Sequence, residues 1–177
     1  MEFLKQAHWA RALIAPAILL PPGCVRSPVQ TYRFEWRPAP LFVKANTSSP
    51  KLSVSSSGML SLLITYREGE NMRLGYSMSH DGGDNFMPLI PVSANGANVS
   101  THGESSPILA TAPGGIYALW QQGRNELMFA RSLSFGASFD APVRIAGGDE
   151  AFHGFASVAA GPDGNPFAVW LDQRSKK

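Results

Sequence analysis

Beyond residue 50 the chain is a succession of short apolar runs broken by glycine, proline and serine. No window outside the first twenty or so residues sustains the i, i+3, i+4 spacing of an amphipathic helix. The runs predict strands over 51–55, 60–66, 72–79 and 86–92, and again over 107–112, 116–121, 127–132 and 139–145. Three segments line up with one another: 49–58, 106–114 and 156–164. Each is a small-residue or apolar strand running into a glycine turn, and each is followed by a more apolar strand, at 60–66, 116–121 and 166–171. The turn glycines Gly58, Gly114 and Gly164 lie 56 and then 50 residues apart.

A period near fifty residues built from short strands is the signature of propeller blades. Four antiparallel strands per period make one blade, and most of the glycines fall between strands, where they do not interrupt the ladder. The expected fold is therefore all-β: a partial β-propeller of about two and a half four-stranded blades over residues 45–177. Closed propellers have ~4 to 8 blades. The 177 residues therefore lead us to expect an incomplete or open array with exposed blade edges, prone to self-association.

The N-terminus has a different pattern. Lys5 and Arg11 precede an apolar run from Ala12 to Leu20, followed by Pro21-Pro22-Gly23-Cys24. A charged start, a short apolar stretch and a small residue describe an export signal over 1–23, and the run is too short to span a bilayer. The chain's single cysteine, Cys24, stands where a lipid would be attached, and the segment resembles a bacterial lipobox, although Leu20 is one residue farther from the cysteine than usual. An idle or buried cysteine is the plain alternative. Cleavage there would leave 154 residues, starting with a Pro-, Ser- and Arg-rich linker over 24–44 followed by an irregular or edge strand. The expected location is the cell envelope or periplasm, with a membrane contact only through the lipid.

Composition narrows the chemistry. A net charge of +2 without a Lys/Arg run leaves no electrostatic footprint for nucleic acid, and one cysteine gives neither a disulfide framework nor a cysteine zinc site. Between the third and fourth strands of the first blade lies Ser79-His80-Asp81-Gly82-Gly83-Asp84-Asn85-Phe86. Asp81 is placed to accept backbone N–H bonds across a turn, the glycines supply positive φ, and Phe86 folds back on the blade. The same place in the second blade reads Ser132-Leu133-Ser134-Phe135-Gly136-Ala137-Ser138-Phe139, with Ser134 in place of the acid, 53 residues further on. Ser79, Asp81, Gly83 and Phe86, echoed by Ser132, Gly136 and Phe139, resemble the Asp-box of bacterial neuraminidase repeats. The region 45–175 thus resembles the sialidase-like β-propeller family, in which this turn is a folding device remote from the ligand.

The resemblance implies a ligand face where second-to-third strand connections meet the loops that lead into the innermost strands. Arg67, Arg124 and Arg174 occupy the first kind of position, and His102, Glu104 and His153 the second. Arginine forks suit a carboxylate. The plainer reading makes the arginines solvated hairpin residues and the histidines turn caps, and two histidines without a third ligand specify no metal. The family's activity implies three substrate-gripping arginines, an acid/base and a tyrosine nucleophile paired with a glutamate. Only Arg37-Pro38 echoes the family's early Arg-Ile-Pro element, and Tyr66, Tyr76 and Tyr117 sit in predicted strands, as packing residues would. No catalytic residue is assigned, and no cofactor or metal is expected. The expectation is a non-catalytic propeller segment that binds a glycan or another carboxylate ligand, or takes part in assembly. The alternatives are a fragment of an exo-α-sialidase-type hydrolase and a periplasmic scaffold that recognises another envelope protein.

Overall fold

A computed structural model describes residues 7–13, 33–39, 46–148 and 151–174. The chain divides into two units, residues 1–41 and 42–177. In the first, strand β1 (Ala7–Leu13) pairs antiparallel with β2 (Arg33–Ala39), bringing Trp9 opposite Arg37 and Arg11 opposite Glu35. β2 falls inside the expected linker, ahead of the irregular or edge strand predicted to follow it. Residues 14–32, with Cys24 and most of the expected apolar run, lie outside the described residues.

The second unit is all-β, with a single 3-10 turn (Gly103–Ser105) among the described residues. One sheet is a four-stranded antiparallel meander of β3 (Thr47–Val54), β4 (Leu60–Glu68), β5 (Asn71–Ser79) and β6 (Ile90–Pro91). The next repeats that order in β7 (Ile108–Ala112), β8 (Gly115–Gln122), β9 (Glu126–Ser132) and β10 (Val143–Ala146). A third contains β11 (His153–Ala160) and β12 (Pro166–Asp172). The first strands β3, β7 and β11 lie side by side in that order, and the sheets stack face to face. Two full blades and half of a third give the partial propeller that the repeat spacing predicts.

Stacking explains why β8 reads as nearly unbroken burial. As the second strand of the middle sheet, it has a neighbouring sheet on each face, so both sets of alternating side chains leave water. Ile116, Ala118 and Trp120 meet Leu63, Leu74, Tyr76, Val92 and Val99 of the first blade. Tyr117 and Leu119 face the other way, with Ala110 and Leu127, toward Val158, Ala156, Ala168 and Trp170 of the third. Two hydrogen bonds also cross between blades: Ser53 Oγ to Thr111 Oγ1 at 2.7 Å, and the Tyr117 hydroxyl to the Gly164 carbonyl.

The outer strands depart from expectation. The fourth strand of the first blade is Ile90–Pro91 rather than 86–92, and that of the second is Val143–Ala146 rather than 139–145. Pro88 and Pro142 have no N–H to donate, so neither falls within the paired stretch, and Pro91 is the last residue of β6. The first strand starts earlier than predicted, at Thr47, across a register shift between Ser48 and Lys51 that accommodates Pro50.

Candidate functional site

The hairpin ends opposite the Ser79–Phe86 turn carry an open cleft of about 1070 Å³ between the second and third blades. Its walls come from three places: the segment leading into β7, the β8–β9 hairpin, and the start and end of the third blade. The 3-10 turn is closed by Ser105 N–H donating to the His102 carbonyl at 2.9 Å, and the Ser106 hydroxyl donates to the same oxygen at 3.2 Å. This turn leaves His102 and Glu104 exposed on the rim.

Arg124 sits at the tip of the β8–β9 hairpin, after Gly123, whose φ of +58° turns the chain. The hairpin is fixed on two sides. Gly123 N–H donates to the Asn98 carbonyl at 2.9 Å, and Gln121 Nε2 donates to the Arg124 carbonyl at 2.6 Å. The strand behind is tied by Ser100 N–H donating to the Gln121 carbonyl at 2.8 Å. Arg124 is exposed, so its guanidinium stands in solvent on a rigid base.

Gln121 is the most informative residue of the cleft. It is 6% exposed, and its Oε1 has no hydrogen-bond partner among the described residues, while Nε2 donates to the Arg124 carbonyl. A buried carbonyl without a donor costs about 1–3 kcal/mol. Asn98, Ser100, Asn125 and Gln173 add hydrogen-bonding groups to the lining, and Phe152 adds an aromatic one.

Of the six residues singled out from the sequence, the cleft brings together His102, Glu104 and Arg124. The other three stand elsewhere. His153 is buried as the first residue of β11, paired with Asp172 in the ladder, and its Nδ1 lies 3.8 Å from Asp172 Oδ2. The Arg174 side chain donates to Asp172, and together with the Arg174 backbone N–H it holds that carboxyl below its ordinary range. Arg67 lies on the first blade's own hairpin, 3.5 Å from the Glu70 carbonyl and outside the lining. The repeat positions are thus matched in sequence but not in surroundings: His102 precedes a 3-10 turn, while His153 is already inside a strand. Sequence reasoning missed Gln121, Asn98, Ser100, Asn125, Gln173 and Phe152. A polar Gln121-Gln122 pair at the end of an otherwise apolar buried strand was the available signal.

The two repeat turns are built alike. Ser79 Oγ accepts from Gly83 N–H at 2.9 Å and donates to Asp81 Oδ1 at 2.7 Å, and Asp81 accepts from the Asn85 backbone and side chain at 2.9 and 2.8 Å. These bonds, the Asn85 backbone N–H foremost, hold Asp81 far below the ordinary carboxylate range. In the second turn Ser132 Oγ accepts from Gly136 N–H at 2.9 Å, and Ser134 takes the acid's place by accepting from Ser138 N–H at 3.1 Å. Phe139 rests against Tyr76 of the first blade, ring centres 5.3 Å apart.

No family model matches the chain, and no curated protein matches it. Among solved structures, a Hadza microbial sialidase, Hz136, shares 17% identity with a TM-score of 0.45. The match covers 73% of this chain and 35% of that one, so this chain spans about a third of the structure it matches. At that similarity the likeness says nothing of what either chain binds.

Proposed function

We propose that this chain is an exported glycan-binding propeller segment whose cleft takes a sugar bearing a carboxylate. The observation that carries the reading is the cleft lining, in which exposed Arg124 stands beside the amides of Asn98 and Gln121 and the hydroxyl of Ser100. Arg124 would hold the carboxylate through charge-assisted bonds. Gln121, Asn98 and Ser100 would take ring hydroxyls, and Phe152 would offer an apolar wall to the sugar face. The volume lies near the upper end of small-ligand pockets, ~300–1,000 Å³.

Binding without turnover fits these groups better than hydrolysis. Glycoside hydrolysis needs two carboxyl groups flanking the bond, or a tyrosine nucleophile in place of one. Among the described residues Glu104 is the one carboxylate in the lining, and Tyr66, Tyr76 and Tyr117 are buried in the blades. An exo-α-sialidase of which these residues are one portion is the enzymatic alternative. A fluorogenic sialoside assay separates the two: no turnover is expected, while N-acetylneuraminate should raise the melting temperature of the same sample. Turnover that disappears in Glu104→Gln would make the chain an enzyme.

Cys24 would anchor the exported chain through its lipid, and metabolic labelling with a fatty acid should mark the wild type and not Cys24→Ala. A scaffold reading has one observation in its favour. Phe155, Phe167, Val169 and Leu171 form an exposed apolar face on the two-stranded sheet, with Val169 at 67% exposure. Such a face is a site of self-association or of contact with an envelope protein.

A further inference from the structure

The second repeat turn contains a residue that its own fold does not need. Phe135 occupies the position that Gly82 fills in the first turn, and both are left-handed, with φ of +53° and +74°. Glycine adopts that conformation freely, whereas a bulky side chain there carries strain. The ring gains no burial in return, since Phe135 is 68% exposed. The two turns serve as mutual controls: the Gly82 version closes the same hydrogen bonds without the strain and without the exposed ring.

Phe135 lines a groove of about 410 Å³ at the end of the blades opposite the Arg124 cleft. Ser55, Ser56, Ser57 and Thr111 supply hydroxyls to it, and Pro113 and the following glycines form part of its floor. The Ser55 and Ser57 hydroxyls are 2.8 Å apart, and Ser56 is exposed. No charged side chain lines the groove. An exposed aromatic face beside a row of hydroxyls, without charge, suits a ring that is apolar on its faces and hydroxylated at its edge.

We infer that this groove is a second carbohydrate site, for a neutral pyranose that stacks on Phe135 while its hydroxyls meet the serines. It differs from the Arg124 cleft in position and in the charge of its ligand, and it does not depend on the cleft's function.

The test is saturation-transfer NMR on the full chain with lactose as the neutral probe, paired with melting temperatures. Lactose should receive transfer from the wild type, from Arg124→Gln and from Phe135→Trp. Phe135→Gly should lose the transfer while melting at or above the wild-type temperature, because glycine relieves the strained φ. Transfer that persists in Phe135→Gly, or that is absent from the wild type, overturns the proposal. So does a Phe135→Gly protein that melts several degrees lower, which would make the ring structural. N-acetylneuraminate failing to bind at the cleft would leave these outcomes unchanged.

Discussion

At the scale of single residues, the paired turns show how much of a fold motif is local. The Ser79 and Ser132 hydroxyls each cap a glycine N–H four residues on, so the motif is legible in sequence wherever it occurs. Asp81 has a folded-state pKa held below that of the unfolded chain. Its contribution to stability is therefore present above the ordinary carboxylate range and fades as pH falls through and below it. Asp81→Asn should melt lower than wild type at pH 7, and the gap should begin to narrow as pH falls below about 4 and keep narrowing at lower pH. In the other turn, Ser134→Asp should raise stability by up to about 1 kcal/mol, by giving Ser138 N–H a charged acceptor. A chemical denaturation series at pH 7 checks the second, and thermal melts across pH check the first. Gln121 was not legible in the same way. Its burial and its single committed amide hydrogen bond depend on a neighbouring blade and a hairpin that no local pattern announces.

At the scale of strands and blades, the repeat period fixed the count and order of elements, because each blade is a local meander whose strands follow one another along the chain. Their ends were harder to read, since Pro88 and Pro142 cut the fourth strands short inside runs that look apolar enough to pair. In the middle sheet β8 is buried against a neighbouring sheet on each face, so damage there should be costly. Trp120→Ala should lose about 3–5 kcal/mol in denaturant unfolding, as expected for a large buried ring. On the third sheet, Val169→Lys places a charge in the exposed apolar face. If that face mediates association, light scattering after gel filtration should show the wild type larger than the variant at the same concentration.

At the scale of the whole molecule, the cleft depends on three segments far apart in sequence. The repeat register placed His102, Glu104 and Arg124 at one end of the blades, and there they share a cleft. Register alone could not distinguish them from Arg67, His153 and Arg174, which hold matched positions but different neighbours. The difference comes from what surrounds each position: Arg124 is backed by a hairpin tied to Asn98 and Gln121, whereas Arg174 is turned onto Asp172. In the proposed binding mode, Arg124 and Gln121 together recognise a sugar carboxylate and its hydroxyls. Calorimetric titration of N-acetylneuraminate and of its methyl ester into wild type and Arg124→Gln tests it most directly. The acid should bind the wild type, and removing either the ligand's charge or the guanidinium should weaken binding by about tenfold or more. Equal affinities for acid and ester, or an Arg124→Gln protein that binds the acid as the wild type does, would contradict it.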